Sequence, residues 1–301
     1  MPSFLQPGCT AVITGASSGI GREAALYCAE RGMNVWMVDV DATELHLAHQ
    51  LVVSKQMSPD QVIEARVVDV SDSVAMQDLS DEVFAVSGAC HFLMNNAGVG
   101  SGGDAMTDME TVHKVMGVNT YGPIHGCLAF IPKMKEMKEP SWVVNTGSKQ
   151  GITMPPGNLT YNMSKAALKC YTEGLSYELK DSNVQVAFLI PGWVNTSIVL
   201  KSLRAKAEAA GEEFDADSVF FHEDKPATGA WMPRQVIEYM IQHLDQGSFY
   251  IVCPDNDVDC ELDKLRMTWT MQDITENRKP LSRWRPEYKD KFEEFLKANG
   301  R

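Results

Sequence analysis

Short apolar runs alternate with longer amphipathic stretches along most of the chain. Six runs rich in β-branched or aromatic residues predict strands, at 10–14, 34–40, 62–68, 90–94, 141–146 and 184–190. Apolar residues at helical spacing predict helices at 22–31, 42–56, 73–86, 105–137 and 160–179, with a bend in the fourth near Gly117 or Gly122–Pro123. This alternation predicts an α/β fold, with a Rossmann-like, doubly wound parallel sheet of about seven strands.

The pattern loosens after residue 196. It predicts a small helix at 197–210, a polar and aromatic connection at 211–233, a helix at 234–244 and a seventh strand at 248–253. The remaining residues carry aromatic side chains among many charges, and 286–298 has the spacing of an amphipathic helix. We therefore expect one catalytic domain at 1–253 and a C-terminal extension at 254–301. The extension packs on its own domain or on a neighbouring subunit, with a direct substrate role as the alternative.

Composition excludes several classes of protein. The 301 residues carry a net charge of −13, which argues against nucleic acid and against an anionic membrane surface as partners. No run of 18 apolar residues and no signal peptide is present, so we expect no membrane span and a cytoplasmic location. Seven irregularly spaced cysteines indicate free thiols, and without Cys-x-x-Cys or His-x-x-x-His we expect no metal site.

A glycine-rich turn lies between the first strand and the first helix. Gly15, Gly19 and Gly21 form a G-x-x-x-G-x-G spacing. Glycines let the backbone approach phosphates closely, and a helix N-terminus supplies free N–H groups and a positive dipole end. In this context the turn predicts a diphosphate cradle, although such a turn alone is also compatible with a purely structural role.

Asp39 ends the second strand, eighteen residues beyond Gly21. A carboxylate at this place can accept hydrogen bonds from both ribose hydroxyls of an adenosine and would repel a 2′-phosphate. No arginine stands beside it, and the turn has Ser17 and Ser18 where a basic residue would help a phosphate, so the sequence favours NAD over NADP. A helix N-cap is the alternative role for Asp39.

Tyr161 and Lys165 are four residues apart on the predicted helix, and therefore lie on one face. A neighbouring ammonium would lower the pKa of the phenol and make it an acid/base near neutral pH. Ser148 follows the fifth strand, where its hydroxyl is free to donate to a substrate oxygen. An ordinary solvated helix face is the alternative for the Tyr–Lys pair. Asn119 interrupts the long helix, where it either holds a water at a kink or is an exposed or capping residue.

With these residues in hand, the chain resembles the short-chain dehydrogenase/reductase family in its compact, single-domain form, over about residues 8–253. The resemblance rests on TGASSGIG at 14–21, Asp39, Asp69-Val70, NNAG at 95–98, Asn119, Ser148, Tyr161-x-x-x-Lys165 and PGWVNT at 191–196. It implies a Rossmann-type fold and a nicotinamide cofactor. The bulky Trp193 in the last turn and the extension beyond 253 depart from the compact pattern.

The resemblance also implies roles for residues. Ser148 would polarise the substrate oxygen, Tyr161 would be the general acid/base, Lys165 would lower its pKa and hold the nicotinamide ribose, and Asn119 would order a water. The implied cofactor contacts are Gly15, Ser17, Ser18, Gly19, Ile20, Gly21, Asp39, Asp69, Val70, Asn96, Ala97, Gly98, Tyr161, Lys165, Pro191, Gly192, Val194 and Thr196. A substrate lid is implied at about 197–233, and a homodimer or homotetramer built on the two long helices.

The predicted activity is hydride transfer between NAD and a secondary alcohol or ketone. Gln150, Met154 and Trp193 are the candidate substrate contacts, and their character favours an apolar small molecule such as a terpenoid, steroid or aromatic alcohol. An NADPH-dependent carbonyl reductase and a non-catalytic cofactor-binding protein are the alternatives. An epimerase of the longer related type is disfavoured by the glycine spacing and by the lack of a large substrate domain.

Overall fold

A seven-stranded, all-parallel sheet forms the centre of the molecule in the computed structural model, which describes residues 4–100, 102–198, 207, 211–213 and 229–301. The strands are β1 (Thr10–Thr14), β2 (Asn34–Asp39), β3 (Ile63–Val67), β4 (Phe92–Asn95), β5 (Ser141–Thr146), β6 (Val184–Ile190) and β7 (Tyr250–Val252). Their order in the sheet is β3-β2-β1-β4-β5-β6-β7. The predicted Rossmann-like α/β class is confirmed.

The described helices pack on both faces of this sheet or extend beyond it. They are α1 (Gly19–Ala29), α2 (Ala42–Val53), α3 (Ser73–Ser87), α4 (Met109–Met116), α5 (Gly122–Met137), α6 (Gln150–Thr153), α7 (Leu159–Glu178), α8 (Pro233–Asp245), α9 (Cys260–Thr275) and α10 (Lys289–Ala298). Within the described residues, no helix is both long enough and apolar enough to cross a bilayer.

Alternating strand residues supply the two main cores, one on each face of the sheet. Ile13 and Met37 point to one face and pack with α1, α2 and α8, whereas Val12 and Trp36 point to the other and pack with α3 and α5. All four side chains are fully buried. Burial on both faces explains why the strands appear in the sequence as nearly continuous apolar runs rather than as alternating ones.

The chain reverses direction in the sheet between β3 and β4. After β3 at one edge, β4 returns to pair with β1, with Ala11 opposite Phe92 and Ile13 opposite Met94. In an open parallel sheet, such a reversal leaves a crevice at the carboxyl ends of the two strands, where ligands bind. The glycine-rich turn after β1 and the NNAG segment after β4 both lie there.

A π-helical turn at Gly117–Tyr121 separates α4 from α5. The sequence predicted a continuous helix bent near Gly117, and the structure places the irregularity there. Helix α4 begins at Met109 and not at residue 105 as predicted, because Asp108 is its N-cap and accepts from the Thr111 amide at 2.8 Å. Similarly, α1 begins at Gly19 rather than Arg22, so two of the three glycines are helical.

The C-terminal segment contains a helix that the sequence pattern missed, α9. Its buried residues are Asp263, Trp269 and Asp273, so it has no apolar stripe for a periodicity search to detect. The Trp269 ring packs against Phe292 and Phe295 of α10, each with ring centroids 5.2 Å away. The predicted 286–298 helix is α10 preceded by a 3₁₀ turn at Pro286–Tyr288. Most of the predicted 197–210 helix and of the 197–233 lid lies outside the described residues.

Candidate active site

Ser148 and Tyr161 meet at the carboxyl end of the sheet. Ser148 follows the last residue of β5 by two positions, and Tyr161 lies in the first turn of α7. The Ser148 side chain lies close enough to the Tyr161 hydroxyl to lower its pKa. The Ser148 Oγ also accepts from the Gln150 amide at 3.1 Å, which fixes the hydroxyl at the start of α6. The predicted pair is thus brought together in space.

The environment of Tyr161 contradicts one expectation from the sequence. Tyr161 as a whole residue is partly exposed, but protein atoms desolvate its hydroxyl, and this burial raises the pKa of the phenol. The neighbouring Ser148 side chain lowers the pKa, but by less than burial raises it. The Lys165 Nζ lies 5.8 Å from the ring centroid and does not reverse this shift. The prediction that Lys165 brings the Tyr161 pKa below its usual value is therefore wrong for the polypeptide itself.

Lys165 is buried beside this pair. Its Nζ donates to the Thr146 carbonyl at 2.9 Å, and burial lowers the pKa of the amine to about 8. A pKa of that size leaves roughly nine-tenths of the amine protonated at pH 7. The Nζ faces the NNAG segment, since a Cβ built on Gly98 would lie 3.7 Å from it. A cation is thus held at the crevice between β1 and β4.

Asn119 lies in the π-helical turn, fully buried. Its Nδ2 donates to the Val99 carbonyl at 3.0 Å and to the Ser164 Oγ at 3.1 Å, and its Oδ1 accepts from the Val99 amide at 2.8 Å. The side chain therefore connects the loop after β4 to α7. The alternative of an exposed or capping asparagine is excluded, and the predicted water-ordering role stays a prediction.

The glycine-rich turn requires its glycines. Gly15 has φ +67°, a left-handed conformation, and a Cβ there would lie 2.8 Å from the Ala97 Cα. A Cβ on Gly21 would overlap the Gly15 carbonyl oxygen. The turn after β1 is therefore packed directly against the NNAG segment and against the first turn of α1.

This turn fits a dinucleotide diphosphate. Ser18 is the N-cap of α1, and its side chain makes no capping hydrogen bond, so the first N–H groups of the helix are not satisfied by the cap. An anionic group placed there would meet those N–H groups and the positive end of the helix dipole. The residues present thus form the kind of cradle that a diphosphate needs.

Asp39 is oriented by the glycine-rich turn. Its Oδ2 accepts from the Ser17 amide at 3.0 Å and its Oδ1 from the Asp41 amide at 3.1 Å. The N-cap of α2 is Asp41, which accepts from the Glu44 amide at 3.1 Å. The helix N-cap role considered for Asp39 is therefore filled by Asp41. The Asp39 carboxylate is therefore held at the end of β2, beside the cradle.

Thr14 positions the NNAG segment. Its Oγ1 accepts from the amides of Asn96 and Ala97, at 2.9 and 3.1 Å, and its carbonyl accepts from the Asn96 Nδ2 at 3.2 Å. In the loop after β3, the Asp69 Oδ1 accepts from the Ser71 amide at 2.9 Å, and Val70 is buried. These residues line the carboxyl ends of β1, β3 and β4, where the sequence placed the adenosine side of the cofactor.

The 191–196 turn faces the glycine-rich turn. A Cβ on Gly19 would lie 2.9 Å from the Thr196 Cγ2, and the Ser197 hydroxyl donates to the Ser18 Oγ at 3.0 Å. Val194 forms an isolated bridge with Trp231. A cavity of about 230 Å³ lies between these segments and the start of α8. Of the remaining predicted cofactor contacts, Ile20 packs on the core, Pro191 is buried and Gly192 is partly buried.

The candidate substrate residues lie around α6 and the 191–196 turn. Gln150 begins α6, and its Oε1 accepts from the Asn158 Nδ2 at 3.4 Å. Met154 ends α6 in a left-handed conformation with φ 45°, and its side chain is 40% exposed. Trp193 is 45% exposed. Two of the three candidate substrate residues therefore present partly exposed apolar side chains. The aromatic residues Phe214, Phe220 and Phe221 lie outside the described residues.

Sequence reasoning missed a group of charged residues next to Ser148. The Lys149 Nζ lies 2.6 Å from the Asp263 Oδ2 and 3.3 Å from the Asp255 Oδ2. Both aspartates belong to the C-terminal extension, more than one hundred residues away in the chain. No local motif marks such a pairing. The only available signal was that Lys149 directly follows the predicted catalytic serine.

Fold and site together define a nicotinamide-dependent oxidoreductase that acts on CH–OH groups. The model of the family described as short chain dehydrogenase matches residues 9–207, and the chain belongs to this family. A curated relative, 1-deoxy-11-beta-hydroxypentalenate dehydrogenase of Streptomyces avermitilis, is 33% identical over 210 residues, which cover 69% of this chain and 76% of that protein.

Solved structures extend the similarity to the C-terminal part of the chain. The structure of a short chain dehydrogenase/reductase from Burkholderia phymatum in complex with NAD gives a TM-score of 0.78 at 28% identity, over 93% of this chain and 98% of that one. A metagenomic short-chain oxidoreductase in complex with NADP shares the fold, with a TM-score of 0.64 at 23% identity over 83% and 98% of the two chains. Such folds therefore accommodate either dinucleotide.

Proposed function

We propose that the protein catalyses reversible hydride transfer between NAD and a secondary alcohol or its ketone. The observation that carries the proposal is the close approach of the Ser148 and Tyr161 side chains, with the buried Lys165 beside them. The three side chains lie at the sheet edge that also holds the glycine-rich turn. A protein that only bound a nucleotide would have no need of an acid/base pair at this place.

Each of the four candidate catalytic residues has a separate task. Ser148 donates to the substrate oxygen and holds the carbinol carbon in place, which lowers the entropic part of the barrier. Tyr161 takes the hydroxyl proton in oxidation and returns it in reduction. Lys165 supplies positive charge at the crevice and holds the nicotinamide ribose, and Asn119 orders a water for proton exchange with solvent. The nicotinamide, when bound, accepts or supplies the hydride.

The raised pKa of Tyr161 determines the protonation state of this side chain in the resting protein. At neutral pH the side chain is a phenol, which is the form that donates a proton to a ketone oxygen. Oxidation of an alcohol requires the phenolate instead. Ketone reduction therefore starts from the resting form, whereas alcohol oxidation becomes faster as the pH rises.

The preference for NAD over NADP rests on Asp39. Two main-chain amides hold its carboxylate in place at the end of β2, and it can accept from ribose hydroxyls there. A 2′-phosphate would bring like charge against it. The diphosphate would lie along Gly15, Ser17, Ser18, Gly19, Ile20 and Gly21, the adenine beside Asp69 and Val70, and the nicotinamide half against Asn96, Ala97, Gly98, Pro191, Gly192, Val194 and Thr196.

The proposed substrate is an apolar small molecule. Met154 and Trp193 present exposed apolar surface on either side of Ser148 in the chain, and Gln150 supplies a polar group. The similar protein from Streptomyces avermitilis is named for the dehydrogenation of a hydroxyl-bearing acid, 1-deoxy-11-beta-hydroxypentalenate. We include in the proposal a single catalytic domain at 1–253, an extension at 254–301, and a homodimer or homotetramer.

The test is a panel of secondary alcohols with NAD and with NADP, followed by absorbance of the reduced cofactor. 2-Propanol, cyclohexanol, 2-octanol and 1-phenylethanol span the range from small to bulky and apolar. Tyr161→Phe is the control, because it removes the acid/base hydroxyl and keeps the ring. We expect turnover with NAD that this variant lacks, while NADH binding measured by fluorescence is kept.

Two other outcomes identify the alternatives. A strong preference for NADPH with ketones would identify a carbonyl reductase and overturn the choice of cofactor. Binding of dinucleotide without turnover of any alcohol or ketone, in wild type and Tyr161→Phe alike, would identify a non-catalytic cofactor-binding protein.

A further inference from the structure

Lys149 forms a buried charge cluster with two residues of the C-terminal extension. Its side chain is 14% exposed, and those of Asp255 and Asp263 are 7% and 5% exposed. The short contact with Asp263 is an ion pair that is not aligned as a hydrogen bond. Arg266 and Arg283 also act electrostatically on Asp263 or on each other, so the cluster holds charges of both signs.

Asp255 joins this cluster to two further main-chain segments. Its Oδ2, which faces Lys149, also accepts from the Trp193 amide at 3.1 Å. Its Oδ1 accepts from the Val258 and Asp257 amides, at 2.8 and 3.1 Å, and so organises the turn that leads into α9. One carboxylate therefore fixes the loop after β5, the turn after β6 and the start of the extension.

Gly192 shows how closely these parts pack. A Cβ built there would lie 2.5 Å from the Asp255 Oδ2 and 2.7 Å from the Lys149 Nζ, so the main chain lies directly on the ion pair. The Lys149 amide also donates to the Pro191 carbonyl at 3.4 Å. The loop that carries Ser148 and the 191–196 turn are therefore held at a fixed separation.

We propose that Asp255 is a positioning residue, which sets the nicotinamide-side turn against Ser148 through Lys149 and the Trp193 amide. The inference rests on the proposed function, in which Ser148 holds the substrate oxygen and the 191–196 turn meets the nicotinamide. Hydride transfer requires the two to be aligned closely. The C-terminal extension, which lies beyond the proposed catalytic domain, thus contributes to the geometry of the reaction.

The test compares Asp255→Asn with Glu261→Gln. Both remove one carboxylate charge from the C-terminal extension, but Glu261 is exposed and pairs only with Lys264 in the described chain. We expect Asp255→Asn to raise the dissociation constant for NADH and the KM for NAD about tenfold, which is the order expected for one hydrogen bond to a charged group. Hydrogen–deuterium exchange of the 190–196 peptide should also become about tenfold faster. Glu261→Gln should change none of these.

Two results would overturn the inference. In one, Asp255→Asn behaves like Glu261→Gln in binding and exchange. In the other, exchange rises equally in all peptides, which is the mark of a general loss of stability. Exchange at 190–196 is measured without cofactor, so it tests the inference even if the wild-type protein neither binds NADH nor oxidises an alcohol, which would instead contradict the proposed function.

A second pair of variants covers the case in which Asp255→Asn does not fold. Lys149→Arg keeps the charge of the cluster, and Lys149→Met removes it at similar length. Lys149→Arg is expected to retain NADH binding within about threefold of wild type, and Lys149→Met to lose about tenfold or more. Equal binding by the two variants would contradict the proposal.

Discussion

The Nζ of Lys165 donates to the main-chain carbonyl of Thr146 at 2.9 Å, which anchors the ammonium at the end of β5, the strand that leads into Ser148. The hydrogen bond determines where the charge lies, while burial determines how much the protonated amine destabilises the folded state. Burial lowers the pKa of the amine from 10.5 to about 8, so the folded protein disfavours the protonated form. The same residue is therefore expected to serve activity and to reduce stability.

Lys165→Met separates these two effects. The pKa difference corresponds to about 3 kcal/mol at pH 7, and the lost hydrogen bond offsets about 1 kcal/mol of this. We expect the variant to be about 2 kcal/mol more stable in urea unfolding at pH 7 and at least about 100-fold less active.

The stability gain of Lys165→Met should depend on pH in a defined way. Below pH 8 the lysine is protonated in both the folded and unfolded states, so the gain is complete. It should shrink between pH 8 and 10.5, where the folded state releases its proton first, and vanish above that range. A variant less stable than wild type at pH 7 would show that burial of this lysine is not costly.

The pH dependence of the rates should differ between the two reaction directions. Because burial raises the pKa of Tyr161, the phenolate needed for oxidation is scarce at pH 7 and becomes more abundant as pH rises. Alcohol oxidation should therefore accelerate between pH 7 and 9, by up to about tenfold per unit, while ketone reduction does not. Initial rates at saturating cofactor, measured across this range, check the prediction. Acceleration of both directions together would contradict it.

Asp39→Ala should relax the choice between NAD and NADP. Without the carboxylate, the ribose hydroxyls lose an acceptor and a 2′-phosphate meets no like charge at the end of β2. The ratio of kcat/KM values for the two cofactors should move at least about tenfold toward NADP.

Asp41→Ala is the matched control for this change. Asp41 caps α2, so its removal should cost about 1 kcal/mol of stability and leave the cofactor ratio unchanged. The proposed role of Asp39 would be excluded if the two variants shifted the ratio equally.

Gly21→Ala should weaken dinucleotide binding strongly. The new Cβ would overlap the Gly15 carbonyl oxygen, so the turn must move away from the first turn of α1. We expect NADH affinity to fall by more than about tenfold, with about 1–3 kcal/mol lost from the free energy of unfolding. Fluorescence titration and urea unfolding measure the two quantities.

Gly174→Ala gives the opposite expectation for the same chemical change. Gly174 is exposed inside α7, and a Cβ there would meet no atom within 4 Å. The substitution should raise stability by about 0.5–1 kcal/mol and leave NADH binding as it is. Loss of binding in this variant as well would show that the effect at Gly21 is not local.

Much of the fold could be predicted because the information was local. β1, β5 and β6 have the bounds that their apolar runs predicted, since strands buried on both faces are apolar throughout. The spacing of the glycines and of Tyr161 and Lys165 was sufficient to place candidate residues at one sheet edge. These signals depend on a few neighbouring residues, and the parallel sheet brings their strand ends together.

What could not be predicted depends on contacts distant in sequence. The direction of the Tyr161 pKa shift follows from desolvation by surrounding elements, whereas the sequence displayed only the lysine four residues away. Helix α9 buries two aspartates and one tryptophan instead of an apolar stripe. The partners of Lys149 lie in that helix and before it, and no pattern around Ser148 indicates them.

The wide helical turn at Gly117–Tyr121 makes the spacing of this stretch sensitive to insertion and deletion. A π-helical turn contains one residue more than an α-helical turn, and one residue rotates a helix by about 100°. Removing a single residue between Gly117 and Tyr121 would leave a regular helix, better hydrogen-bonded than before, with the Asn119 amide aimed away from Val99 and Ser164. A length change that improves the local backbone would thus disconnect the loop after β4 from α7.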